Sequence, residues 1–338
     1  MEKGKLASGD ILIVKDGATT GKTSLVRPSF PYSEAAINEH VFRLRLDKKQ
    51  ANATYIFYFL FSPKGQRDIL KDYRGATVGG ISRSFTDGVS VPLPPLAEQR
   101  RIADILDKAD AIRRKRWEAG SSIERLPLSL FAEMFGTHAS PAKDVALSAV
   151  AQVVSGVTKG RRLSGVSVRT VPYLRVANVQ AGHLDLREIK TIEALSSEVA
   201  NLALQHGDVV MTEGGDHDKL GRGAIWEHDV PDCIHQNHVF RVRLDRTRVL
   251  PNYFATFLQT GEAKAYFLRC AKKTTNLASI NITQLKSLPV PLAPLSQQSV
   301  FVDRLAKCLK LRDRMRNHES AADALFHSLV QRAFRGEL

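Results

Sequence analysis

The chain repeats itself once, at a spacing of about 198 residues, and this limits what it can fold into. His40-Val41-Phe42-Arg43-Leu44-Arg45-Leu46-Asp47 returns as His238-Val239-Phe240-Arg241-Val242-Arg243-Leu244-Asp245 with a single change. Gly9-Asp10-Ile11-Leu12 returns as Gly207-Asp208-Val209-Val210. Pro92-Leu93-Pro94-Pro95-Leu96-Ala97-Glu98-Gln99 returns, one residue further on, as Pro291-Leu292-Ala293-Pro294-Leu295-Ser296-Gln297-Gln298. Both halves then finish in a long charged run ending near Phe135 and Phe334. Solenoid repeats are about 20–50 residues long, so this period describes a duplicated module. Two similar surfaces on one frame follow from it.

Within each module the pattern is mixed. Ile11-Leu12-Ile13-Val14 is a short apolar run of buried-strand type. His40 to Leu46 alternates, Phe42, Leu44 and Leu46 on one face and Arg43 and Arg45 on the other. Tyr55 to Phe61 is aromatic and followed by Ser62-Pro63; its counterpart Tyr253 to Leu258 reads as helical, so a helix packed on a sheet is expected in both. A loop is expected at 75–80 and a closing strand at Val89-Ser90-Val91-Pro92. From Ala97 the period changes. Ile102, Ile105, Ala109, Ile112, Ala119, Ile123, Leu126 and Leu130 fall at coiled-coil steps, interrupted by Arg116, with Pro127 expected to break the helix. Phe301, Leu305, Cys308, Met315, Ala322, Phe326 and Leu329 form the matching seam. Each run could reach roughly 60 Å, more than one globular core needs, so an antiparallel helix pair is expected.

The segment between Gly136 and about Gly207 has no counterpart in the first half. It holds Val145 to Val154 (strand or short helix), the basic loop Lys159-Gly160-Arg161-Arg162, and a strand-like stretch from Val171 to Val176. The first module therefore reads as incomplete at its start. At 338 residues with 43% hydrophobic content, two domains with real cores are expected. No apolar run approaches the roughly 18 residues of a membrane span, and Met1 to Lys5 does not open a signal peptide. The three cysteines, Cys233, Cys270 and Cys308, lie far apart, as buried thiols of a cytoplasmic protein do. A net charge of +14 favours polyanions, DNA or RNA first.

Several motifs compete with plainer readings. Gly17-Ala18-Thr19-Thr20-Gly21-Lys22-Thr23 has three residues between its glycines where a phosphate-binding P-loop has four; a turn before a strand accounts for it better. His235 and His238, three apart on an expected strand, point to opposite faces and do not readily share a metal with Asp216, His217 or Asp218. The Arg43/Arg45 and Arg241/Arg243 stripes read as an ion-paired or solvated strand face before a DNA contact. Loops are better candidates. Lys159, Arg161 and Arg162 among glycines, and Lys272, Lys273, Thr275 and Asn276, combine phosphate-seeking charge with groups for base edges. Lys219 and Arg222 lie in the second module's turn; Lys22, Arg74 and Arg83 are the first module's candidates. The helix cations Arg100, Arg101, Arg113, Arg114, Lys115 and Arg116 read as a solvated face. No Asn/Asp-Pro-Pro-aromatic methylation motif, Gly-x-Gly-x-x-Gly turn or zinc deaminase signature is present, which favours recognition over catalysis. A fused methyltransferase or nuclease is the enzyme alternative.

The order of these parts resembles the specificity subunit of type I restriction-modification systems. Leu93-Pro94-Pro95-Leu96-Ala97-Glu98-Gln99-Arg100-Arg101-Ile102 resembles that family's lead-in to its spacer helix, and Val171-Pro172-Tyr173-Leu174-Arg175-Val176-Ala177-Asn178-Val179 an early stretch of its target-recognition domain. Gly207 to Val210 and Phe334 to Leu338 also fit. The resemblance implies an α+β fold: two similar mixed α/β target-recognition domains joined by two long antiparallel coiled-coil helices. It divides the chain into a first recognition domain at 1–94, a spacer helix at 95–136, a second recognition domain at 137–294 and a second helix at 295–338. It implies a non-catalytic subunit that reads the two halves of a split double-stranded DNA site, its helices setting the spacing and docking two methyltransferase subunits. Restriction (translocase and nuclease) subunits are further implied partners. No cofactor is expected in this chain; S-adenosylmethionine, Mg2+ and ATP belong to the partners. Lacking the equivalent of residues 143–206, the first domain is expected to be truncated, or completed by a second chain. A coiled-coil scaffold or an inactive truncated copy is the alternative.

Overall fold

The computed structural model describes residues 4–75, 79–136, 143–161, 163, 167–215, 220–228, 230–273 and 278–338. Its elements run β1 (Ile11–Val14), β2 (Thr23–Leu25), β3 (Val41–Leu44), α1 (Ala53–Phe61), α2 (Pro63–Leu70) and α3 (Leu96–Ile123) through the first module. Next come α4 (Leu126–Phe135), β4 (Lys143–Ala146), β5 (Ala151–Ser155), β6 (Val168–Leu174), β7 (Lys190–Leu195), α5 (Ser196–Leu202), β8 (Val209–Thr212), β9 (Gly214–Gly215) and β10 (Gly223–Ile225). The chain continues through β11 (Ile234–His235), β12 (Val239–Leu244), α6 (Pro251–Phe257), α7 (Gly261–Cys270), β13 (Lys272–Lys273), β14 (Ala278–Ser279), α8 (Ile282–Lys286), β15 (Pro289–Leu292) and α9 (Leu295–Ala333). The fold is α+β. It divides into two compact units, one of residues 1–122 with 313–338, the other of residues 123–312. No helix among the described residues is long and apolar enough to cross a membrane.

In the first unit β2, β1 and β3 form an antiparallel sheet with β1 in the centre. Ile11 and Ile13 point into the core on alternate positions, as the strand period requires. The aromatic run forms helix rather than strand: the Asn52 side chain caps α1 by accepting from the Tyr55 amide at 3.0 Å. Ser62 then caps α2, whose first turn carries Pro63. Tyr55, Tyr58 and Phe59 are buried against Ile102, Ala103 and Leu106 of α3 and against Phe326, Val330 and Ala333 of α9. Helices α3 and α9 run antiparallel here. Arg101 donates to the Leu338 carbonyl at 2.7 Å, Arg113 to Asp323 at 3.2 Å, and Arg116 to the His318 carbonyl at 3.3 Å.

In the second unit β10, β8, β12 and β5 form an antiparallel sheet in that order. A second sheet, β11-β6-β7, a small sheet, β13-β14-β9, and the pair β15-β4 complete it. The main core gathers Leu147, Val150 and Val153 with Val209, Val242, Tyr253, Phe254, Phe267 and Leu288. Phe301 and Leu305 of α9 and Phe131 of α4 close it.

The duplication is physical as well as textual. Asp10 accepts both Arg45 nitrogens at 2.7 and 2.6 Å, and Asp208 accepts both Arg243 nitrogens at 2.8 and 2.7 Å. The buried Gln99 accepts from the Asn52 amide at 2.9 Å and donates to the Pro94 carbonyl at 2.8 Å. Gln298 does the same with Leu250 at 2.9 Å and Ala293 at 2.7 Å. Tyr55 and Tyr253 donate to the carbonyls of Pro92 and Pro291, and their rings pack at steep angles against Phe334 and Phe135. The correspondence begins near residue 5: the Leu6 amide donates to Ala35 and the Leu204 amide to Cys233, both at 2.8 Å.

Two expectations change. Val89 to Pro92 is not a strand in the first unit, whereas its counterpart β15 is one, because β15 has β4 to pair with. The helical run over 95–136 breaks between Ile123 and Leu126, at the proline expected to break it: Pro127 cannot donate to the Ile123 carbonyl and sits where a helix start needs no such bond. The seam positions Ile112, Ala119 and Leu126 are exposed, Ile112 at 55%. The buried face of α3 runs instead through Ile102, Ala103, Leu106 and Asp110. Of the remaining seam residues, Phe301, Leu305 and Phe326 are buried, and Ile105, Ala109, Ile123, Leu130, Cys308, Met315, Ala322 and Leu329 are half-buried.

Candidate nucleic-acid interface

Antiparallel pairing brings alternate strand ends together, and in the second unit it collects the basic loops. Thr212 at the end of β8 pairs with Val239 at the start of β12, Ser155 at the end of β5 with Phe240, and Gly223 at the start of β10 with Met211. The loop after β5, the turn after β8 and the turn before β12 therefore meet at one end of the sheet. The strip β13-β14-β9 joins them, Ser279 pairing with Gly214 and Lys272 with Ser279.

Gly156 makes the close approach possible, since a Cβ there would lie 1.8 Å from the His235 carbonyl oxygen. The Val157 amide donates to that carbonyl at 2.9 Å, and the Asn237 amide to Val157 at 2.9 Å. Lys159 follows, fully on the surface, next to Gly160 at φ +77°. Lys272 is likewise exposed. Arg161, by contrast, is half-buried in a bidentate ion pair with Glu198 of α5, and its guanidinium holds that carboxyl below its usual range. Arg222 donates to the Gln180 side chain at 3.0 Å. Lys273 lies beside Lys272 in β13, while Arg162, Lys219, Thr275 and Asn276 fall outside the described residues.

The first unit builds the same end. Val14 pairs with Val41 and Ile13 with Thr23, so the turn 15–22 and residues 38–40 meet, with Gly80 bridging Asp16 and Arg74. Lys22 is exposed there. Arg74 is exposed and ion-paired with Asp72 at 3.0 Å. Arg83 opens the 3-10 turn Arg83–Gly88, three residues beyond Gly80. The Gly17 to Thr23 stretch forms a turn and the start of β2.

The arginine stripes lie toward the other end and are structural. Arg45 and Arg243 are held by Asp10 and Asp208, and Arg241 is 2% exposed. Sequence reasoning missed the amides that share the basic end. Gln236 and Asn237 precede the repeated His-Val-Phe motif, and Asn38 occupies the position of Gln236 in the first unit. That motif was the signal that could have found them. Each repeated histidine meets a carboxylate: His40 with Asp16 at 2.7 Å, His238 with Glu213. Exposed cations and side-chain amides thus stand together at one end of each sheet.

Residues 2–119 match the family model described as "Type I restriction modification DNA specificity domain". The chain is 26% identical over 309 residues to the type I restriction enzyme EcoKI specificity subunit of Escherichia coli, covering 84% of this chain and 65% of that protein. It is 23% identical over 357 residues to the StySPI specificity subunit of Salmonella potsdam, covering 100% of this chain and 76% of that one. The chain thus spans about two thirds to three quarters of the length of these relatives. Its fold is similar to a solved chain from a study of assembly and conformational transition in a type I R-M system, with a TM-score of 0.61, 19% identity, and 99% and 83% of the two chains covered. It is also similar to the S subunit of such a system from M. genitalium, with a TM-score of 0.55, 14% identity, and 99% and 85% covered.

Proposed function

We propose, from the premise that this chain belongs to the type I restriction-modification specificity family, that it is the DNA sequence-reading subunit of such a complex. Each unit reads one half of a split site with the loop-bearing end of its sheet. The observation that carries this is the duplication of that end, with exposed Lys159 and Lys272 in one unit and Lys22 and Arg74 in the other. Phosphate contacts by such cations fix the reader on the duplex, and the neighbouring amides discriminate bases.

The subunit is non-catalytic in this reading. Methylation and cleavage, with S-adenosylmethionine, Mg2+ and ATP, belong to two methyltransferase subunits and the restriction subunits. Helices α3 and α9 set the distance between half-sites and dock the methyltransferases. The exposed Ile112, Trp117 and Leu325 on these helices support a protein-binding face.

The test is to express the chain in cells that hold the methyltransferase but no specificity subunit, then map methylated adenines. A two-part motif is expected. The double variant Lys159→Glu, Lys272→Glu should lose methylation over the whole motif, while the helix variant Trp117→Ala should lose it through weaker methyltransferase binding in a pull-down. Methyltransferase capture without any sequence preference would leave only a scaffold.

A further inference from the structure

One contact recurs at the basic end of both units although its two halves do not recur together. His40 and His238 occupy the same position of the repeat, but their carboxylates do not: Glu213 stands where the first unit has Lys15, and Gly214 where it has Asp16. In the first unit a shorter side chain, one residue further on, reaches the same ring atom that a longer one reaches in the second, Nδ1 in both. A surface pair of this kind adds little to stability, so folding alone gives no reason to rebuild it.

The two rings are held and presented alike. The Lys15 amide donates to the His40 carbonyl at 2.8 Å and the Glu213 amide to the His238 carbonyl at 3.0 Å. Each histidine therefore sits on the last rung of its sheet, where a side chain is placed more precisely than on a free loop. The side chains are 57% and 55% exposed, a match that holds although, among the described residues, only the second unit has β5 beside the strand. A carboxylate only accepts, so Nδ1 carries a proton, and in the neutral ring Nε2 is left as an acceptor. Asn237 Nδ2 stands 3.3 Å from the Nε2 of His238, so an amide N–H already meets that acceptor. Glu39 Oε1 lies 3.6 Å from the Nε2 of His40.

These surroundings decide what the rings suit. A ring beside one or two carboxylates is a poor seat for a further anion. The phosphates have other partners close by. Lys272 pairs with Ser279, and Ser279 with Gly214 next to Glu213, while Gly80 bridges both Arg74 and Asp16. A fixed acceptor suits a base-edge donor instead, and in the major groove the only such donors are the exocyclic amino groups of adenine and cytosine.

We propose, resting on the DNA-reading function above, that His40 and His238 are specificity-determining residues, each accepting through Nε2 from the amino group of an adenine or cytosine in its half-site. Asp16 and Glu213 are positioning residues that fix the tautomer and the ring. The probe is a pool of random-sequence duplexes, bound by the full chain together with the methyltransferase and sequenced. The selected duplex is then titrated across about 50 to 200 mM salt.

The unsubstituted chain should select a two-part motif. His238→Ala should lower discrimination at one base pair of one half about tenfold, with the other half and the salt slope unchanged. His40→Ala should do the same in the other half. The unaffected half serves each time as the control for folding. Glu213→Gln, whose amide can donate to Nδ1 and leave the proton on Nε2, should move the preference at the same base pair toward guanine or thymine, which present acceptors there. An intact motif in both histidine variants overturns the assignment. So does a uniform loss of affinity with the salt slope reduced by about one, the mark of a phosphate contact. Absence of any motif from the unsubstituted chain overturns the DNA-reading function itself, and the assignment with it.

Discussion

His235 is the residue whose protonation the second unit tolerates least. Its imidazole is fully buried, Nδ1–H donates to the Val239 carbonyl at 2.6 Å, and Nε2 has no partner among the described residues. Burial, with a smaller contribution from the Arg241 guanidinium, pushes its pKa down to about 4. An unfolded imidazole titrates near 6.5, so between these values the unfolded chain binds the extra proton. Stability is therefore full above pH ~6.5 and falls as pH drops toward 4, by roughly 3 kcal/mol. The first unit has Ile37 at this position and lacks the effect. We expect His235→Ile to flatten the fall in urea midpoint between pH 7 and 4.5; an unchanged slope would assign the acid sensitivity elsewhere. At this scale the sequence was a partial guide. Lys159 and Lys272 were legible as surface cations. The fate of Arg161 was not, because Glu198 lies 37 residues away and only the fold brings them together.

Among the elements, the joint between module and helix repeats most faithfully. Gln298 is fully buried, accepts from the Leu250 amide and donates to the carbonyls of Arg248 and Ala293. Removing it leaves buried backbone groups unpaired, at a cost of roughly 2–4 kcal/mol for Gln298→Ala. Chemical denaturation would show this as a lower midpoint, with Gln99→Ala matching it in the other unit. A loss below about 0.5 kcal/mol would mean that water replaces the side chain. These helix starts were readable because the Pro-Pro-Leu-Ala-Glu-Gln pattern is local. The strand at 89–92 was not, since a strand exists only when something pairs with it. Nor did the seam at Ile112 hold, because the module's aromatic helix α1 draws α3 toward a different face, the one that buries Ile102 and Leu106.

For the whole molecule, the net charge of +14 sets the response to salt. If the two sheet ends together neutralise about six to ten phosphates, affinity for duplex DNA should fall by roughly 10³–10⁵ between 50 and 200 mM salt. Fluorescence titration of the full chain measures this, and a flat response would remove electrostatics from the proposed role. The repeat revealed the two-module plan and the matching helices. It did not reveal that each unit is finished by helix residues from outside its own module, because no local pattern marks which helix end meets which core.

That arrangement has a temporal consequence. Phe326, Val330 and Ala333 are core residues of the unit that contains β1, yet they are translated some 300 residues after it. The module made first is thus the last to be sealed, and the later one, complete by residue 312, can mature ahead of it. During synthesis the nascent aromatic helix α1 must wait with its apolar face uncovered, a natural client for a ribosome-associated chaperone.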